Sequence, residues 1–208
     1  INVATISKIE ITAKLDENNK LTAGTRINIS PGMYDIQYFA GILNGTDWVT
    51  GFGWSGNIKG AGFKGEVSLF QPKDSSLGNG DIMFSFGTDY AFKNSLYLQF
   101  EFLYSSIDYT FSSFTDFYFM PLSVKTISFT DYNLFTQLSY PFNPLLNGTF
   151  SVIYYPSING IFLGPNLTQS LTENLDLSFF IQYFNGEFNP SSERQKLTVG
   201  FLRLKWSF

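Results

Sequence analysis

Apolar and polar residues alternate along most of this chain with a period of two, and the 3.6-residue period of an amphipathic helix is hard to find. The alternation is cleanest at 95–105. There Leu96, Leu98, Phe100, Phe102 and Tyr104 oppose Tyr97, Gln99 and Glu101. Similar segments occupy 2–15, 21–30, 33–43, 48–55, 61–71, 81–91, 130–140, 148–155, 160–169, 174–184 and 196–208. A period of two with Gly, Pro, Asn and Asp at the breaks predicts strands joined by turns. The expectation is an all-β chain of about 12 strands, within a range of roughly 10–14.

The breaks have their own chemistry. In Pro31-Gly32, Pro presets one dihedral and Gly supplies the next, while Asn44-Gly45 favours the twist of a tight hairpin. Turns are also expected at Asp16–Asn19, Gly56–Gly60, Phe92–Asn94, Pro141–Asn147 and Ser170–Glu173. Pro165 sits awkwardly inside the tenth segment. Between 106 and 128 the pattern is aromatic and irregular, which suits either strand extensions or a loop folded inward.

The last segment carries a further signal. Phe208, Trp206, Leu204 and Leu202 form an apolar row with Gly200 behind it, and Ser207, Lys205, Arg203 and Phe201 intervene. A final strand ending on Phe resembles the outer-membrane β-barrel class of Gram-negative bacteria. That resemblance implies a transmembrane antiparallel up-and-down β-barrel, with Gly200, Leu202, Leu204, Trp206 and Phe208 as the signal read by the barrel-assembly machinery. It also implies contact with outer-membrane lipid and lipopolysaccharide, and room for protein partners at extracellular loops. The run Gly51-Phe52-Gly53-Trp54-Ser55-Gly56 and the run Gly62-Phe63-Lys64-Gly65-Glu66-Val67 look like hairpins of larger porin-like proteins. The chain is therefore expected to be either a mature protein, since no signal peptide is visible at 1–4, or the C-terminal part of a longer barrel.

Connection lengths offer an internal check, because such barrels alternate short turns with longer loops. The longest predicted connections, 71–80, 106–128 and 185–195, are the fifth, seventh and eleventh, whereas every even connection is short. A soluble sandwich has no reason to sort loop length by parity. No apolar stretch reaches the length of a spanning helix. Nothing in the 208 residues marks a linker, so one domain, 1–208, is expected.

Composition narrows the chemistry. Aromatics make up 19% of the residues and charged residues 14%, against about 25% charge in a typical soluble domain. There is no Cys, hence no disulfide or thiolate site, and no His, the commonest general base and metal ligand. A net charge of −4 without a basic cluster argues against nucleic acid. Asp108, Asp116 and Asp131 lack the spacing of a calcium loop. The Asn-x-Ser/Thr triplets at Asn28, Asn44, Asn147 and Asn166 would be sugar acceptors only in a eukaryotic secretory setting. No metal, cofactor or enzymatic activity is expected.

The polar faces define a candidate lumen: Lys64, Glu66, Gln99, Glu101, Asp131, Asn133, Gln137, Asp176, Gln182, Arg203 and Lys205. These residues suit either a pore lined by both charge signs or a filled interior in which Lys64, Glu66, Glu101, Arg203 and Lys205 pair. Glu66 and Glu101 as an acid–base pair is the weaker reading of two carboxylates on an inner wall. Tyr34, Tyr38, Trp48, Trp54, Tyr90, Tyr104, Tyr132, Tyr140, Tyr183 and Trp206 share the apolar parity, several near strand ends where interfacial girdles belong. Three functions follow: a porin-like passive channel for small solutes or ions, a non-conducting accessory barrel of an outer-membrane complex contacting partners through 106–128, or a soluble calycin-like barrel holding an apolar ligand.

Overall fold

The period-two segments form strands, and nearly every strand pairs with the one before it and the one after. The computed structural model describes residues 6–17, 19–107, 113, 116, 119–120, 123–188 and 193–208. Its strands are β1 (Ile6–Leu15), β2 (Leu21–Ile29), β3 (Tyr34–Leu43), β4 (Asp47–Ile58), β5 (Ala61–Pro72), β6 (Asp81–Ala91), β7 (Tyr97–Ser105), β8 (Tyr132–Asn143), β9 (Leu146–Tyr155), β10 (Gly160–Thr172), β11 (Leu175–Gly186) and β12 (Gln195–Trp206). They make one 12-stranded sheet whose order follows the sequence from β1 to β12, an all-β, antiparallel, up-and-down arrangement. Residues 2–5 of the predicted first strand lie outside the described residues.

The chain forms two compact units. Unit 1 comprises Ile1–Thr88 with Leu103–Ile107, and unit 2 comprises Asp89–Phe102 with Asp108–Phe208.

Register assigns every side chain of a pair to one of two faces, because partners across an antiparallel ladder point the same way. In unit 1 one face runs Ile9↔Ile27↔Tyr38↔Phe52↔Val67 and Ile29↔Ile36↔Trp54↔Gly65. The other runs Glu10↔Arg26↔Phe39↔Gly51↔Ser68 and Lys8↔Asn28↔Gln37↔Gly53↔Glu66. Unit 2 divides in the same way. Leu138↔Phe150↔Pro165 and Leu167↔Phe179↔Leu202 lie on the apolar face, and Ser139↔Thr149↔Asn166↔Phe180 on the polar one.

Exposure is inverted relative to a water-soluble sheet. Ile11 (81%), Tyr38, Trp48, Phe52, Leu69, Phe150, Phe179 and Trp206 (74%), all on the apolar face, stand uncovered. Buried residues assigned by register, including Asp47, Ser68, Phe70, Ser178 and Phe184, sit on the polar face. Among the described residues, more polar side chains than apolar ones are buried.

Glycines on the polar face make room for larger neighbours. A Cβ on Gly41 would collide with the backbone of Ala23 and Gly24, and one on Gly51 with the Phe39 ring. At Gly200, by contrast, a Cβ would meet open space.

Several boundaries differ from the sequence expectation. The turn expected at Gly56–Gly60 is only Lys59-Gly60, both at positive φ (52° and 88°), with Asn57 Oδ1 accepting the Gly60 N–H at 2.9 Å. Gly56 stays in the strand because the Tyr34 and Phe63 rings take the space beside it. The turn expected at Pro141–Asn147 shrinks to Pro144-Leu145, and the missing Pro141 N–H falls where the β8–β9 register slips. β10 carries Pro165 because the β10–β11 pairing skips Gly164 and Pro165 while the β9 side continues through Pro165↔Phe150. Thr130 and Asp131, expected to open the eighth strand, precede it.

Gly41→Val and Gly51→Val are expected to destabilise the folded protein by about 1–3 kcal/mol through overpacking, whereas Gly200→Ala should leave it unchanged. Thermal or urea unfolding in detergent checks both arms. Equal stability of all three variants would contradict the close approach at Gly41 and Gly51.

Candidate functional site

Strand alternation gathers the chemistry of this chain on the polar face. In unit 1 the Glu10 carboxylate is bridged by two cations: Lys8 Nζ lies 2.6 Å from Oε1, and Arg26 Nε donates to Oε2 at 2.7 Å, with its Nη2 on the same oxygen. The cluster is solvent-accessible, so each contact adds little to stability. Beside it lie Asn28 and Gln37, then Glu66, which accepts the Ser68 hydroxyl at 2.9 Å, and Lys64 opposite Ser55. Lys8, Glu10 and Arg26 were absent from the candidate lumen residues, although their parity in β1 and β2 already put them on that face. Their mutual contact depends on the Glu10↔Arg26 register, which alternation alone does not supply.

Unit 2 arranges its polar face in rows. Gln99 Nε2 donates to Glu101 Oε1 at 2.9 Å on β7. Across β8–β12, one row is Phe135↔Ile153↔Phe162↔Phe184↔Leu197. Below it, Gln137 faces Ser151, whose hydroxyl donates to Gln137 Oε1 at 3.1 Å. Next comes Ser139↔Thr149↔Asn166↔Phe180, with the Ser139 and Thr149 hydroxyls 3.2 Å apart. Asn147↔Thr168↔Ser178↔Arg203 follows, with Thr168 and Ser178 joined at 3.0 Å. The last row pairs Asp176 with Lys205, and the Ser170 hydroxyl donates to Asp176 at 2.7 Å. Gln182 is exposed opposite Val199. Asp131 lies exposed before β8 and joins no row.

Asn133 has a structural task. It is buried, its Nδ2 donates to Ser128 Oγ at 2.7 Å and to the Thr130 carbonyl at 3.2 Å, and its Oδ1 accepts the Thr130 hydroxyl at 2.9 Å. These bonds satisfy the buried amide and hold the limb at 123–131 against the sheet. Phe129 then packs against Tyr155 (ring centroids 4.8 Å apart), Phe188 (5.7 Å) and Phe184 (6.3 Å), with Phe184 only 2% exposed. The aromatic stretch at 108–112, 114–115, 117–118 and 121–122 lies outside the described residues.

On the opposite face, Leu202 (73%), Leu204 (64%) and Trp206 stand exposed in line with Gly200, and Phe208 follows β12. Aromatics collect near both strand ends: Tyr34 beside Phe63, Tyr90 edge-on to Phe92 and Tyr140 edge-on to Phe142 at the short-turn ends, and Trp48 under Lys73 Nζ (4.9 Å) at a loop end. No helix among the described residues is long and apolar enough to cross a membrane, which says nothing of strands. No cluster of three or more Asp or Glu poised for a metal occurs among them either. Comparison with family models, with curated proteins and with solved structures gives no match.

Chemically, the polar face can offer hydrogen bonds and both charge signs, concentrated differently in the two units. Asn133→Ala should loosen the limb at 123–131, since it removes the three side-chain hydrogen bonds that tie Ser128 and Thr130 to β8, each worth about 0.5–1.5 kcal/mol. The expected outcome is faster tryptic cleavage after Lys125, followed by mass spectrometry. A cleavage rate equal to that of the parent chain would show that the network does not hold the limb.

Proposed function

We propose that this chain is a lipid-embedded β-barrel of the bacterial outer membrane, acting as a porin-like passive channel for small solutes or ions. The observation that carries the reading is the uncovered apolar face. In unit 1 Ile11, Tyr38, Phe52 and Leu69 stand exposed on one face while Ser68 and Glu66 turn to the other, and in unit 2 Phe150, Phe179, Leu202 and Leu204 stand exposed while Ser178 turns to the other. Water would leave such faces prone to association, whereas hydrocarbon solvates them. Antiparallel strands closed into a barrel are the arrangement that satisfies backbone polar groups in lipid without a helix.

Two further features support the same reading. The aromatics near both strand ends sit where a bilayer has its interfaces. The longest connections, 73–80, 106–131 and 187–194, alternate along the chain with turns as short as Lys59-Gly60, Pro144-Leu145 and Glu173-Asn174. The soluble calycin-like alternative needs a polar outer face, which the exposed row Leu202, Leu204 and Trp206 does not provide. In this reading the row from Gly200 to Phe208 is what the assembly machinery engages, and lipid and lipopolysaccharide surround the apolar face.

One observation favours a second function on the same scaffold. Phe129, Tyr155, Phe184 and Phe188 fill part of the polar face of unit 2, as they would in a plugged barrel serving as an accessory subunit. Discrete single-channel steps in planar bilayers separate a channel from a plugged barrel.

The membrane itself is tested by placing a charge on each face. Phe52→Arg is expected to cost about 2–4 kcal/mol of stability in phospholipid vesicles, as arginine does at a bilayer midplane, and Asn28→Arg much less. The parent chain should extract only with detergent and migrate as a compact, heat-modifiable species in SDS. A chain that is monodisperse in plain buffer, or that tolerates both substitutions alike, would overturn the reading.

A further inference from the structure

We propose that the polar face of β8–β11 is a binding track for a neutral polyhydroxylated solute, a sugar or polyol; this rests on the channel reading above and names the solute class it favours. Charge is distributed unevenly between the units. The polar face of unit 1 carries Lys8, Glu10, Arg26, Asp35, Lys64 and Glu66, whereas β8–β11 carry Asp176 alone, in the row nearest the short turns. Between Asp176 and the Phe135–Phe184 row, the wall consists of hydroxyls, amides and one phenyl ring.

The hydrogen bonds within this wall leave capacity to spare. Ser151 with Gln137, Ser139 with Thr149 and Thr168 with Ser178 each join at 3.0–3.2 Å, and Gln137 Nε2 also donates to Ser139 Oγ at 3.4 Å. A hydroxyl offers one donor and two acceptor sites, and an amide two of each. These four bonds still leave donors and acceptors together, the combination that a solute's own hydroxyls require. Asn166 adds an independent sign: its Oδ1 is buried and has no hydrogen-bond partner in this structure. A buried acceptor left in that state costs free energy, and a ligand hydroxyl donating to it removes the cost.

Asn166 stands between Thr149 on β9 and Phe180 on β11. An aromatic ring has a negative face, which suits the C–H face of a sugar ring whose hydroxyls meet the amide and threonine beside it. On β8–β11 between Asp176 and the Phe135–Phe184 row an ionised solute would find no opposite charge, Arg203 joining the Thr168–Ser178 row only from β12, and it would lose hydration there without compensation. Neutral hydrogen-bonding chemistry therefore fits the track, and ionic chemistry fits unit 1.

The test uses the full chain reconstituted in phosphatidylcholine vesicles, with osmotic swelling measured for glucose, for gluconate and for glucosamine, three solutes of similar size. Glucose should enter fastest. Asn166→Leu should lower the glucose rate relative to the charged solutes by about three- to tenfold, as expected for losing one such hydrogen bond. Thr149→Val, a smaller change in the same row, serves if Asn166→Leu does not fold, and heat-modifiable migration in SDS reports folding for each. Entry of all three solutes at like rates, or a glucose preference untouched by a folded variant, would overturn the track and leave the channel standing. Entry of none would overturn both.

Discussion

The hydrogen-bonded ladder is the constraint on which everything else depends. Antiparallel pairing from β1 to β12 satisfies the backbone donors and acceptors between neighbouring strands, so the side chains are released from that task. The two faces can then diverge completely. Pairs such as Phe52↔Val67 in unit 1 and Phe179↔Leu202 in unit 2 make one face of each unit apolar, while Glu10↔Arg26 and Thr168↔Ser178 carry polar contacts on the other. A buried apolar core, which in water would supply most of the driving force, is confined among the described residues to a few sites such as the Phe129 cluster. Hydrocarbon around the apolar face, as proposed, makes such a core unnecessary.

The same constraint explains where glycine and aromatic residues fall. Strands β3–β5 set Phe39, Gln37, Tyr34 and Trp54 against Gly51, Gly53, Gly56 and Gly65, and each large side chain lies over the glycine of the neighbouring strand. Such pairing curves a sheet and holds its register at once. On the polar face Phe39 over Gly51 and Gln37 over Gly53 are such pairs, so their bulk occupies positions the glycines leave open. The exception is the limb at 123–131. It comes from the longest connection and adds its own bulk, which Gly186 beside Phe184 only partly offsets.

Most of the fold was legible in the alternation, because a period of two is the direct imprint of a half-covered sheet. Strand number, order and most ends follow from it. What escaped were features decided by contacts distant in sequence. Pro141 and Gly56 read as turn residues on local chemistry, yet both lie in strands because a register slip accommodates one and neighbouring rings the other. Asn133 had the parity of a lumen residue but spends its hydrogen bonds on Ser128 and Thr130. Alternation tells which way a side chain points and cannot tell what already occupies the space in front of it. For the same reason Lys8, Glu10 and Arg26 were visible as residues and invisible as a cluster.

The rows of unit 2 carry this one step further. Along β10 the polar-face positions pass from Phe162 through Gly164 and Asn166 to Thr168 and Ser170, a gradient from apolar to polar toward the short-turn end. On β11 the matching positions pass from Phe184 through Gln182, Phe180 and Ser178 to Asp176, with Gln182 interrupting the order and the polar end again at the short turn. Two strands that read differently residue by residue thus describe one gradient once register aligns them. A wall graded in this way lets a neutral solute exchange apolar contact for hydrogen bonds in steps. A uniformly charged wall would hold counter-ions at each level. The chemistry of the track therefore resides in the alignment of neighbouring strands more than in any one residue, and register is the property that the ladder protects most strongly.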